Sequence, residues 1–243
     1  MIEVIEKLKD DDLYYGEFGR KYLSNSDIGT LLKDPKMFKK AITPTLPMLL
    51  GRYLHTLMLE PDKISDFIVC DATTRTTKTY KDLLLDSSQG IIILKKEVED
   101  MIFLADQIKQ NVFLNEIIYE SGNKFEQPAI TEIEGVKWKG KADIVTQDLI
   151  LDIKTSSRID DFKYSAKKYN YDSQAWLYSQ LFGRPMMFVV VDKATGRLGL
   201  YDCSEEFLDR GREKVYQAME VYNTFFGENP TEDIDQFFIN QTL

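Results

Sequence analysis

The sequence is poor in the residues that build closed metal clusters and disulfide frameworks. It has two cysteines, Cys70 and Cys203, far apart and in no ligand-like spacing, and a single histidine, His55. This composition argues against a disulfide scaffold and a cysteine-ligated zinc or iron–sulfur site, and it fits a reducing cytoplasm. There is no apolar signal region and no run of about 18 apolar residues, so neither secretion nor membrane insertion is expected. No linker rich in proline, glycine or serine interrupts the 243 residues, and there is no internal repeat. One domain over 1–243 is expected. Positive charge is also scarce: 31 Lys and Arg against 40 Asp and Glu leave a net charge of −9. Clustered cations drive DNA binding through counterion release, so this balance speaks against a high-affinity, freely diffusing DNA binder. Long-range repulsion is screened beyond about 8 Å, which leaves room for a local basic channel.

Residues 1–120 have mainly helical periodicity. The spacing predicts helices over 24–33, where Ser24 or Ser26 can cap, and over 46–60, stopped by Pro61. It predicts helices again over 95–111 and on to Tyr119, whereas the threonine-rich 73–81 stretch reads as a loop. The pattern changes after residue 120. Three strand-like runs, 128–133, 136–145 and 149–154, are separated by Glu134-Gly135 and Thr146-Gln147-Asp148, the signature of an antiparallel meander. A helix over 160–182 ending at Gly183 should carry the chain back to a strand at 186–191, parallel to the third. A turn at Ala194-Thr195-Gly196, a strand at 198–201 and a long helix capped by Ser204 complete an α/β core over 121–226. A loosely packed tail is expected over 227–243.

Chemistry concentrates in the meander. Side chains alternate along a strand, so Asp152 and Lys154 share a face while Ile153 takes the other. The hairpin sets Asp143 on the neighbouring strand, and two carboxylates and an amine can then meet. That trio suits metal-assisted phosphodiester hydrolysis, because magnesium prefers a few carboxylate oxygens plus water and phosphate. By itself an Asp-x-Lys on a strand is usually a solvated ion pair. Here the apolar Leu149, Ile150 and Leu151 make the strand look buried, and a buried charged pair needs partners or a purpose.

Asp143 followed by Asp152-Ile153-Lys154 resembles the second half of the PD-(D/E)XK nuclease signature. Gln174-Ala175-Trp176-Leu177-Tyr178 is similar to the Gln-x-x-x-Tyr motif of the RecB-like branch, and Gly51-Arg52-Tyr53-Leu54-His55 to its upstream Gly-x-x-x-His element. With Ser24-Asn25-Ser26-Asp27, the ordered set most resembles phage and prophage exonucleases similar to exodeoxyribonuclease VIII. The resemblance implies a mixed α/β (α+β) fold: a restriction-endonuclease-like core, its central mixed sheet flanked by helices, with an N-terminal helical region. It implies Asp143 and Asp152 as metal ligands, His55 as an additional metal ligand or a group poised at the scissile phosphate, Lys154 as the catalytic lysine, and Gln174 and Tyr178 as groups that position DNA or support the metal-binding strand. The implied activity is a Mg2+-dependent exonuclease, with Mn2+ as a substitute, acting 5′→3′ on double-stranded DNA ends. Its implied context is a homo-oligomeric ring in a bacterial host cell, handing 3′ strands to a single-strand annealing protein. An endonuclease, a single-strand trimming enzyme and a catalytically silent DNA-binding protein are the alternatives.

Other residues divide between function and packing. Arg75, Lys78 and Lys81 are candidate phosphate contacts. Glu126 opens the meander and could add an acidic ligand, but a solvated strand start is the stronger reading. Gly51 reads as a point of close backbone approach, and Trp138 and Trp176 as packing residues.

Overall fold

The structure, a computed structural model, describes residues 2–87 and 89–239. Short helices α1 (Ile2–Lys7) and α2 (Asp11–Tyr15) precede α3 (Asn25–Lys33), at whose start Asp27 accepts from the Ser24 amide at 2.8 Å. Helix α4 (Leu46–Leu59) carries His55. A two-strand parallel pair, β1 (Val69–Cys70) and β2 (Ile93–Leu94), brackets α5 (Lys78–Asp86), and α6 (Lys95–Gln110) and α7 (Val112–Tyr119) follow. The loop expected at 73–81 is therefore partly helix. Thr77 caps α5 by accepting from the Tyr80 amide, and burial of Tyr80 gives that turn an apolar anchor which its polar composition conceals.

The five-stranded sheet runs β3 (Lys124–Ile133), β4 (Val136–Val145), β5 (Ile150–Ser156), β6 (Met186–Asp192) and β7 (Leu198–Asp202), in that spatial order. Only β5 and β6 pair in parallel, as the helical crossover between them requires. The single crossover helix expected over 160–182 is broken. Helix α8 (Phe162–Lys168) ends before Asn170, whose left-handed φ of 57° starts a new direction for α9 (Tyr171–Phe182). Asparagine tolerates that conformation, so propensity alone gave no clear break. Helix α10 (Glu205–Phe225) begins at Ser204, which accepts from the Phe207 amide.

Helices cover both sheet faces, giving a mixed α/β architecture of three layers. On one face α3, α9 and α10 pack through Ile28, Leu31, Ala175, Leu177, Val215 and Met219. On the other, α4, α6 and α7 pack through Leu54, Leu104, Ile108 and Ile118 onto Leu151, Ile153, Val189 and Val191. Among the described residues no helix is long and apolar enough to cross a membrane. The described tail residues, 227–239, are mostly exposed and keep a few contacts: Lys36 donates to the Asp235 carbonyl at 3.0 Å and Phe237 meets Phe225 edge-on. Residues 240–243 lie outside the described residues.

The sheet is regular except where it matters most. Strands β4 and β5 share two ladder pairs, Ile144 with Leu151 and Val145 with Ile150, and then diverge. Strands β3 and β4 also change faces near the divergence. Trp138 and Ala142 point into the first core but Ile144 into the second; Ile133 packs on the first and Phe125 on the second. In an undistorted strand each of these pairs would share one face. The switch coincides with Glu126, whose φ is 47°. Divergence exposes one edge of β4, and other groups satisfy it. The Leu23 backbone pairs with Lys137 O and Lys139 N, and Tyr178 donates its hydroxyl to Lys141 O at 3.1 Å. Gly140 is what lets α9 approach so closely, since a Cβ there would lie 2.8 Å from the Tyr178 ring.

At the far end of β6 the buried Asp192 carboxylate accepts from the amides of Ile159, Ala194 and Thr195 and from the Thr195 hydroxyl, at 2.9–3.0 Å. These bonds hold its pKa below the ordinary carboxylate value. The stabilisation is thus fully present above about pH 4 and fades as pH falls through the lowered folded value. Asp192→Ala should cost about 3 kcal/mol at pH 7. In urea melts the gap from the wild type should narrow sharply at pH 3; a gap of constant size would refute the assignment.

Candidate active site

The divergence of β4 from β5 leaves the Ile153 peptide groups without a strand partner on that side. Buried amides and carbonyls need partners, and here two side chains supply them. Asp143 Oδ2 accepts from Ile153 N at 2.7 Å, and His55 Nε2 donates to Ile153 O at 2.8 Å. Asp143 Oδ1 faces His55 Nδ1 at 3.4 Å. With a carbonyl at one ring nitrogen and a carboxylate at the other, His55 is suited to carrying both protons. Asp152 and Lys154 project from β5 on the face covered by α9. Their charges sit 2.6 Å apart, and Gln174 donates to Asp152 Oδ1 at 2.6 Å. The Tyr171 ring lies 5.0 Å from the Lys154 ammonium.

His55, Asp143, Asp152, Lys154 and Gln174 line one cleft of 740 Å³, together with Glu126, Lys141, Arg52, Lys63 and Tyr178. Its electrostatics are those of a site with too much buried negative charge. Burial and the neighbouring Asp143 push Glu126 up to about 8. Burial, reinforced by Asp143 and opposed by Lys154, pushes Asp152 up to about 6. Burial works against the charge on His55 too, but the Asp143 carboxylate overcomes it and raises His55 to about 9. Asp143 is itself held below its ordinary value: His55, Lys154 and the Ile153 amide outweigh the cost of its burial.

These residues fit a divalent cation. One donor atom from each of His55, Glu126 and Asp143 can lie within 4.8 Å of one another. Oxygens with one imidazole are a hard-to-borderline donor set. Asp152 Oδ2, though ion-paired with Lys154, is buried without a well-directed hydrogen bond, so it retains capacity to accept another contact. Positive charge placed here would offset the burial cost and the repulsion from Asp143 that together hold Glu126 and Asp152 above their ordinary pKa values.

The structure thus brings His55, Asp143, Asp152, Lys154, Gln174 and Tyr178 to one cleft. Gln174 touches Asp152 directly, whereas Tyr178 acts on the β4 backbone at Lys141. Two expectations change. Glu126 is not a solvated strand start: it lies directly across from Asp143, since Phe125 pairs with Ile144 and Gln127 with Ala142. Counting back equally from the Glu134-Gly135 turn would have found it. Gly51 makes no close approach, as a Cβ there would meet nothing within 4 Å. Arg75 lies away from the cleft, paired bidentately with Glu97 at 2.9 and 2.7 Å. Lys78 and Lys81 are exposed on α5. Trp138 is fully buried and Trp176 packs beside Tyr216, in keeping with packing roles.

A mixed sheet that presents Asp143 on one strand and Asp152-x-Lys154 on the next, beside a helical histidine, defines a PD-(D/E)XK-like domain. The chain belongs to the family described as PDDEXK-like domain of unknown function (DUF3799), whose model matches residues 24–230. Among solved structures, a candidate exonuclease from Eubacterium rectale superposes with a TM-score of 0.63 at 14% identity, covering 96% of this chain and 95% of that one. This likeness is one of fold. A phage-related exonuclease from Haemophilus somnus aligns over 70% of this chain and 92% of its own, at 18% identity and a TM-score of 0.33, too low to carry an argument. No curated protein matches the chain.

If the cluster holds a cation, Asp143→Asn and Glu126→Gln should each weaken Mn2+ binding about tenfold or more in calorimetric titrations. Arg75→Ala should leave that affinity unchanged. Equal affinities in all four proteins would show that these carboxylates bind no metal.

Proposed function

We propose that this protein is a divalent-metal-dependent deoxyribonuclease that hydrolyses linear double-stranded DNA from its ends. Magnesium is the working ion, and manganese can replace it. The observation that carries this reading is the convergence of Asp143, Asp152, Lys154 and His55 in one cleft, on a fold of the PD-(D/E)XK type. Asp143, Glu126 and His55 would hold the ion, His55 through Nδ1 once that nitrogen gave up its proton on metal binding, with Asp152 beside them. Once bound, it would supply positive charge against the scissile phosphate and acidify an attacking water.

The remaining roles belong to the protein's own groups. Lys154, kept charged by Asp152 and Asp143 despite its burial, is placed to orient water and to stabilise charge developing on the phosphate. Gln174 fixes the Asp152 carboxylate, and the Tyr171 ring shields one side of the ammonium. Tyr178 holds β4 at Lys141, two residues from Asp143, so it is a positioning residue. No protein nucleophile is required, because water performs the attack.

The resemblance to phage and prophage exonucleases supports the finer part of the same proposal. Digestion would run 5′→3′ in a homo-oligomeric ring and leave a 3′ strand for an annealing partner.

Asp152→Asn and Lys154→Ala should each lower Mg2+-dependent hydrolysis of linear duplex about 100-fold or more while circular dichroism stays unchanged. Full activity in either variant would remove the mechanism. Covalently closed circles should survive; cutting them as fast as linear DNA would exclude an exonuclease. Release of the 5′ label before the 3′ label from end-labelled duplex would establish polarity, and the reverse order would overturn 5′→3′.

A further inference from the structure

The cleft contains five basic side chains, and three are paired with carboxylates of the domain's main body. His55 faces Asp143, Lys154 faces Asp152, and Lys63 meets Glu60 at 2.6 Å. The other two, Lys141 and Arg52, share a carboxylate from elsewhere. Asp11, on α2, places Oδ1 2.5 Å from Lys141 Nζ and Oδ2 4.0 Å from Arg52. Helix α2 precedes residue 24, so it lies outside the span that matches the family model.

Lys141 is an unusual surface cation. Its side chain is only 8% exposed, and it stands two residues before Asp143 on the same strand. Tyr14 supports it, with its ring 4.8 Å from the ammonium. Arg52 is 63% exposed and reaches in from α4, one turn before His55. Between them, the two cations hold an anion by two oxygens at the wall of the candidate active site. A tetrahedral phosphate can offer two oxygens to a lysine and an arginine in the same manner.

We infer that Lys141 and Arg52 form a phosphate subsite for the nucleic-acid strand, and that Asp11 is a built-in competitor which the strand displaces. The inference rests on the nuclease reading, which supplies the strand. Displacement requires only that the Asp11 side chain turn away. Helix α2 itself stays anchored, because Tyr14 is buried and its carbonyl accepts from Lys139. The arrangement reconciles an acidic chain with a phosphate substrate. Lys141 is masked and Arg52 partly neutralised until a ligand with enough further contacts arrives, so weak, isolated anions compete poorly.

The test is a double-mutant cycle on the full-length chain, read as binding of a fluorescent duplex oligonucleotide with Ca2+ in place of Mg2+. Asp11→Asn, which keeps the shape and removes the charge, should tighten binding about fivefold, and Lys141→Gln should weaken it about tenfold. In the Lys141→Gln background, the gain from Asp11→Asn should shrink below about twofold. No tightening by Asp11→Asn, or the same gain in both backgrounds, overturns the subsite, the latter by showing a general charge effect. A 5′-phosphorylated duplex that outbinds its 5′-hydroxyl twin through Lys141 would assign the subsite to a terminal phosphate. Equal binding of the two would assign it to an internal one. The subsite and the nuclease reading fail separately. Coupling without Mg2+-dependent cleavage in any variant leaves the subsite and removes the nuclease, whereas cleavage without coupling does the opposite. A duplex that the wild type and all variants fail to bind overturns both.

Discussion

The candidate site depends on the backbone of Ile153. Where β4 leaves β5, the Ile153 amide and carbonyl lose the partner that a continuous sheet would provide, and a buried peptide group cannot be left unpaired. Asp143 takes the amide and His55 takes the carbonyl. Two groups with metal-ligand chemistry are therefore positioned by the same requirement that keeps the sheet edge satisfied. The local fold and the local chemistry are one set of hydrogen bonds, and α4 is tied to β5 by its only histidine.

A second constraint is charge. Glu126, Asp143 and Asp152 are carboxylates in a partly or fully buried region, and burial opposes ionisation of each. The protein balances this with Lys154 and a protonated His55, but the balance is incomplete, since Glu126 and Asp152 stay above their ordinary values. Glu126 also occupies a left-handed backbone conformation that costs an L-residue roughly 1–2 kcal/mol. A strained, partly neutralised carboxylate is a poor element of stability. It is understandable as part of a site made for a cation.

Much of this was legible along the chain. The two-residue turn at Glu134-Gly135, the alternation around Ile153 and the apolar run before Asp152 predict the meander, the shared face of Asp152 and Lys154, and the neighbouring Asp143. Turn-to-turn spacing sets local geometry strongly enough to be read directly. The helix expected over 46–60 was likewise visible from periodicity, and the motif Gln174 to Tyr178 from its resemblance to the RecB-like Gln-x-x-x-Tyr element. Helix α5 was hidden, because its anchor is one buried tyrosine in a polar stretch. The break at Asn170 was hidden because a left-handed asparagine looks like any other helix-tolerated residue. The Arg75 pair was hidden for a related reason: its partner Glu97 is distant in sequence, and nothing near Arg75 announces a bidentate pair.

By itself, then, the sequence determined which residues alternate on β4 and β5 and which chemical types lie within a turn of one another, because strand and helix periods are local properties. Tertiary structure decided that β3 and β4 change faces at Glu126 and Asp143, that His55 reaches a carbonyl 98 residues away, and that Asp11 pairs with Lys141. Each of these is a contact between segments that have no shared period. Such contacts exist only once the two helical layers close on the sheet and force every buried polar group to find a partner.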